Sequence, residues 1–155
     1  MEITLQPFKA EDVPAIVALF RDTVRTVNAQ HYNEAQIKAW APDVIYEDKW
    51  AEKLLKSHTV VAWCNDTLCG FGDIDATGYF DHLFVHKDYQ GLGIATLIEK
   101  EIERYARSQG HRVITVAASV TAKPFFLKKG YNVVREQQVT FNGQVFTNFF
   151  MEKVL

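Results

Sequence analysis

A chain of 155 residues, 48% hydrophobic and 23% charged, can bury one core and is short for two ordinary domains, so residues 1–155 are read as a single domain. Its net charge of −2 argues against nucleic acid as a partner, and no apolar run approaches the roughly 20 residues needed to span a membrane. The start, Met1-Glu2-Ile3-Thr4-Leu5, lacks the basic and apolar regions of a secretion signal, so a cytoplasmic location with reduced Cys64 and Cys69 is expected.

Ile3 to Pro7 reads as a first strand. Glu11 and Asp12 start a helix whose apolar face is Val13, Ile16, Val17, Leu19, Phe20 and Val24. Asn33 to Trp40 is a second helical stretch closed by Pro42, and Glu47 to Lys56 continues as another short helix. His58 to Cys64, Thr67 to Ile74 and Tyr79 to His86 form an antiparallel meander, with turns at Asn65-Asp66 and Thr77-Gly78.

Ile94, Leu97, Ile98, Ile102, Tyr105 and Ala106 then recur at helical spacing as far as Ser108, with Gly110 as a left-handed cap. Val113 to Ala117 suits a buried strand, Thr121 to Lys129 a short helix, and Tyr131 to Arg135 begins a further strand. Asn142-Gly143, between Val139–Phe141 and Val145–Met151, is a type I′ hairpin turn. The order β-α-α-β-β-β-α-β-α-β-β describes an α+β domain without internal repeats.

The helix from Ile94 to Ser108 is preceded by Gln90-Gly91-Leu92-Gly93 and by the apolar run Phe80 to Val85. The first amides of a helix have no intrahelical acceptor and carry a partial positive charge, so glycines at this point make a phosphate cradle. A Walker loop is excluded because its lysine and hydroxyl are missing. A Rossmann site is excluded because its ribose-binding acid would fall in the acid-free stretch between Glu103 and Glu136, although Thr96 passes as the third small residue. Charge is divided: residues 1–90 carry −6 and residues 91–155 carry +4, which favours a cationic ligand near the first half and an anionic one near the second.

Gln90-Gly91-Leu92-Gly93-Ile94-Ala95 resembles the Gln/Arg-x-x-Gly-x-Gly/Ala motif of the GNAT superfamily, the GCN5-related N-acetyltransferases. Ala122-Lys123-Pro124-Phe125-Phe126-Leu127-Lys128-Lys129-Gly130-Tyr131 resembles that superfamily's Ala-x-x-Phe-Tyr-x-x-x-Gly-Phe signature. Ala29–Tyr32, Gln36–Trp40 and Thr121–Phe126 are similar to the YafP-type branch of bacterial acetyltransferases. The resemblance covers nearly the whole chain. It implies a three-layer α/β/α fold around a mixed, mostly antiparallel, splayed sheet. It also implies an acyltransferase that uses acetyl-CoA and moves the acetyl group directly to a primary amine of a small molecule or peptide; the residues themselves suggest no metal.

The resemblance further implies that the CoA pyrophosphate lies on the amides of Gln90, Gly91, Leu92, Gly93, Ile94 and Ala95, with Thr96 in the first helical turn. Pantetheine would add to the strand edge at Leu83, Phe84 and Val85, with Phe125 beside it and Lys123, Lys128 or Lys129 near the 3′-phosphate. The Val85 amide would polarise the thioester carbonyl. Many relatives protonate the departing thiolate with the tyrosine of the second signature; that position here is Phe126, which has no proton to give. This departure keeps open a second class, a CoA-binding module with weak or no catalysis.

Asp81 is the first candidate for the general base, as a carboxylate in a partly dry cleft, although removal by water needs no residue. His82, its neighbour, is expected on the opposite strand face. His31, Tyr32, Trp40 and Tyr79 are candidates for the acceptor pocket, and the acidic first half favours a polyamine, an aminoglycoside-like amine or a lysine side chain. Ser119 either contacts the amine or thiol, or caps the following helix. His82 and His86, four apart on a strand, stand roughly 13 Å apart and cannot share one ion. Monomer and homodimer both remain open, the aromatic last strand with Phe146, Phe149 and Phe150 being a candidate for pairing with a second subunit.

Overall fold

The computed structural model of the chain describes residues 2–155, leaving out Met1 of the expected domain and leader reading. Its elements run β1 (Ile3–Pro7), α1 (Val13–Thr26), α2 (Glu34–Trp40), α3 (Glu47–Lys56), β2 (His58–Cys64), β3 (Thr67–Ile74) and β4 (Tyr79–Val85). After these come α4 (Ile94–Ser108), β5 (Val113–Ser119), α5 (Lys123–Lys128), β6 (Asn132–Phe141) and β7 (Gln144–Val154). The three helical stretches expected before β2 are all present, and the one over Glu47–Lys56 stands as a helix of its own. Pro42 stops α2, and the chain does not turn helical again until Glu47.

The strands form one open sheet in the order β1-β2-β3-β4-β5-β7-β6, antiparallel throughout except where β4 meets β5. Alternate residues of β2 supply two cores, which makes the fold three-layered. Val60, Ala62 and Cys64 pack with Ile94, Ile98, Ile102 and Ala106 of α4 on one face. Val61 packs with Ile16, Phe20 and Val24 of α1 and Leu54 of α3 on the other.

Two expectations for the second half change. Leu97 is 37% exposed, while Glu99, a residue that reads as solvated, is buried on the flank of α4 that faces Lys153 of β7. β7 is also no edge: it pairs with β5 along Val113–Ser119 and with β6 along Asn132–Phe141, so both its backbone edges are used. Phe146 turns inward to Tyr32 and Trp40, and β7 has no free backbone edge to offer a second subunit. The outer position falls to β6.

Two side-chain hydrogen bonds tie the β6–β7 hairpin down over α2. Gln36 donates to the Val145 carbonyl at 2.8 Å, and Asn142 donates to the Ala39 carbonyl at 2.9 Å. Asn33 caps α2 in a reciprocal box with Gln36, so the helix that carries Trp40 is fixed at both ends.

Candidate functional site

β4 and β5 pair only at Tyr79–Thr115 and Phe80–Val116, then diverge. The bond from His86 N–H to the Cys69 carbonyl sets the phase of the β3–β4 ladder, so Leu83 and Val85 turn their backbone groups away from β3 and into the gap. The Val85 carbonyl is already taken by Thr23 Oγ1 at 3.0 Å and Gln90 Nε2 at 2.7 Å. The Gln90 side chain thus staples the glycine motif to the strand end.

Gly91 and Gly93 have φ of +75° and +83°, and a Cβ at either would meet nothing within 4 Å. Glycine is required there by backbone conformation, and the space in front of both is open. Gly93 caps α4, whose first intrahelical bond runs from Leu97 N–H to the Gly93 carbonyl at 3.1 Å. The amides of Ile94, Ala95 and Thr96 are left without intrahelical acceptors. Another glycine lets this helix approach the sheet: a Cβ on Gly72 would stand 2.7 Å from Ile98 Cγ2 and 3.0 Å from the His82 carbonyl.

One cleft of about 1010 Å³ joins these features. It brings together Leu83, Phe84, Val85, Gln90, Gly91, Gly93, Ile94, Ala95, Thr96 and Phe125 from the cradle side with Tyr32, Trp40, Tyr79, Asp81, Ser119 and Phe126. Three sequence candidates stand apart from it. Leu92 is exposed at the crest of the motif, Lys128 is exposed on the last turn of α5, and His31 is spent on a 2.8 Å hydrogen bond between Nδ1 and Thr121 Oγ1. Phe126 is 2% exposed, wedged edge-on between Phe80 and Tyr131. Phe84 packs on Phe20 and Phe71, on the α1 side of the sheet.

The expectation for His82 is overturned by a β-bulge. Asp73 pairs with His82 and Ile74 with Phe80, leaving Asp81 as the extra residue on β4. The insertion breaks the alternation of faces. Asp81 and His82 both line the cleft, with His82 Nδ1 3.8 Å from Asp81 Oδ2. Beneath them, Asp73 is fully buried and its Oδ1 lies 2.8 Å from His82 Nδ1. Lys53, from α3, completes the cluster at 2.9 Å from Asp73 and 3.1 Å from Asp81.

The cluster shifts its own proton affinities. Burial alone would lower His82, but the hydrogen bond and charge of Asp73, with the charge of Asp81, hold it above its ordinary value. Burial would raise Asp73, yet the hydrogen bonds and charges of His82 and Lys53 keep it below the usual carboxylate range. Asp73, Asp81 and His82 could each offer a ligand atom within 4.8 Å of the others, but the Lys53 ammonium already sits against both carboxylates as their cation.

At the far end of β5, the Tyr32 hydroxyl accepts the Val120 N–H at 2.9 Å and meets Ser119. Burial raises its pKa against the opposing pull of those two contacts. Ser119 Oγ in turn accepts the Ala122 N–H at 3.0 Å, at the entry to α5. Cys69 offers no nucleophile, since burial pushes its thiol up to about 11.

Lys53 and Asp73 carry no local signal in the sequence, because their roles arise from pairing across 20 residues of chain. Trp50 was legible only as an apolar position of α3, and here it lies 5.1 Å from the His82 ring.

Residues 28–154 match the acetyltransferase (GNAT) domain family. The chain is 38% identical over 149 residues to the uncharacterized N-acetyltransferase YafP of Escherichia coli (strain K12), covering 96% of this chain and 94% of that one. A GCN5-related N-acetyltransferase structure from Rhodopseudomonas palustris superposes with a TM-score of 0.96 at 32% identity, over 100% and 97% of the two chains. The PaiA N-acetyltransferase of Thermoplasma acidophilum, solved with coenzyme A, shares the fold at a TM-score of 0.83 and 18% identity over the full length of both chains. So does YncA of Salmonella typhimurium, solved with acetyl-CoA, at 0.74 and 18% over 100% and 95%. The chain belongs to the GNAT family of N-acetyltransferases, and is an acyltransferase.

Proposed function

We propose that the protein transfers acetyl from acetyl-CoA directly to a primary amine of a small molecule or peptide. One observation carries this reading: a single cleft joins the open cradle amides, the unpaired edge of β4 and His82, which the buried Asp73 holds from beneath. Crystals of two proteins of this fold with CoA or acetyl-CoA support the choice of cosubstrate. The residues fit it. Amides without acceptors at Ile94–Thr96 and two glycines facing open space suit a diphosphate, and the strand edge at Leu83–Val85 suits a chain of amides. Lys123, Lys128 and Lys129 belong to the proposal as cations near the 3′-phosphate. So does a cytoplasmic location, which the two buried free thiols suit.

Acetyl-CoA supplies an activated acyl group on a leaving thiolate. The Val85 amide points into the gap and polarises the carbonyl. His82 is the base. Its Nδ1 is held by Asp73, which fixes the tautomer and leaves Nε2 to take the amine proton. Asp81, the sequence's candidate, is engaged by Lys53 and acts on the imidazole through its charge. The amine nitrogen bonds to the acetyl carbon as the carbon–sulfur bond breaks, one N–H proton ends on His82, and the thiolate takes a proton from Tyr32. Tyr32, with Ser119 beside it, replaces the hydroxyl that Phe126 lacks.

The competing reading, a CoA-binding module with weak catalysis, draws on the buried ring of Phe126. Thiol release from acetyl-CoA with an amine panel, with mass spectrometry of the products, separates the two. Acetylated amine supports the enzyme; tight CoA binding without any product supports the module.

A further inference from the structure

The acceptor end of the cleft is walled by rings. Phe20 lies 4.8 Å from Trp50 and 5.1 Å from Phe84, and Trp40 lies 5.3 Å from Tyr32, 6.3 Å from Phe84 and 6.1 Å from Phe146, all as centroid distances. All six line the cleft. Tyr32, Trp40, Trp50 and Phe84 are only half-buried, so part of each ring remains open to it.

The charge in the same region does not suit a polycation. Among the described residues Asp81 is the one acid in the lining, and Lys53 Nζ, 3.1 Å from it and 2.9 Å from Asp73, is already paired with both carboxylates. Asp73 is sealed beneath, and Lys49 adds a positive charge to the rim. The acids that make the first half of the sequence negative, such as Glu34, Glu47 and Glu52, stand outside the lining. Second and third ammonium groups of a polyamine would lose water against aromatic carbon with no carboxylate to receive them. Attraction to a ring face recovers only part of that loss.

We propose that the acceptor is a monoamine carrying one apolar, ring-bearing body, its ring held between Trp40, Trp50 and Phe84 and its nitrogen presented to His82. This rests on the acetyl-transfer reading and names its substrate class. It replaces the polyamine and aminoglycoside classes that the overall charge division favours. One extra methylene in an apolar pocket is worth about 10- to 200-fold in kcat/KM, so a whole ring gives at least about 100-fold over a bare short amine.

The test is thiol release from acetyl-CoA with 2-phenylethylamine, hexylamine, ethylamine and spermidine, on the wild-type chain and on Trp40→Leu. The expected order of kcat/KM is phenylethylamine, hexylamine, ethylamine, with spermidine about 100-fold or more below the first. Trp40→Leu should raise the KM for phenylethylamine about tenfold or more and so narrow its advantage over ethylamine, with the KM for acetyl-CoA as the control. Spermidine equal to or better than phenylethylamine overturns the inference. So does a protein that binds CoA yet turns over no ring-bearing amine. Failure of the underlying reading looks different: no CoA-dependent rise in melting temperature and no thiol release with any amine.

Discussion

His82 Nδ1 lies 2.8 Å from the buried Oδ1 of Asp73, on the same side of β4 as Asp81, because the β-bulge places one extra residue in that strand. A buried carboxylate on Nδ1 fixes the imidazole tautomer and raises its basicity toward the pH at which a general base works best.

For catalysis, the free base is the active form, so kcat/KM should rise with pH as His82 loses its proton, with a midpoint above 6.5. Asp73→Asn removes the contact that raises it and should move the midpoint down. His82→Ala should cost about 100-fold in kcat with little change in CoA affinity. pH–rate profiles of the three proteins decide this, and identical profiles would remove His82 as base.

Gly93→Asp tests the cradle. Positive φ at a non-glycine residue costs about 1–2 kcal/mol, and the open space around its Cβ leaves room for the side chain, so the fold should survive. A carboxylate facing a diphosphate should weaken CoA binding at least about 100-fold, as read by calorimetric titration alongside circular dichroism.

Tyr32→Phe should lower kcat about tenfold, less than the 10²–10⁴ of a full general acid because a thiolate departs without much help. The loss should shrink with an acetyl thioester of a more acidic thiol. A purely structural role for the hydroxyl, which also accepts the Val120 N–H, would give the same loss with both thioesters.

Glu99 gives the protein a pH-dependent stability remote from the chemistry. Burial, only partly offset by Lys153 Nζ at 3.6 Å, pushes its carboxyl up to about 7, and its Oε2 has no hydrogen-bond partner. The folded state therefore keeps a proton that the unfolded chain, with its value near 4.5, has lost, and stability should fall as pH rises from 4.5 to 7. Glu99→Gln removes this ionisation. Urea unfolding at pH 5 and pH 8 should show a difference smaller than wild type by on the order of 2 kcal/mol.

Much of this was legible in the chain. α3, β2 and β3 fall on the residues that periodicity assigns them, and Gly91, Gly93 and the Asn142-Gly143 turn take the positive φ their types announce. The failures share a cause, since each depends on contacts made only after folding. The bulge at Asp81 breaks the period-2 rule that put His82 on the wrong face. Glu99 reads as solvated until β7 brings Lys153 over it.

Backbone hydrogen exchange with and without CoA tests the central claim most directly. Binding should slow exchange at Leu83, Val85 and residues 94–96, where the amides face the gap and the cradle. Protection confined to other segments, or none at saturating CoA, would contradict the account.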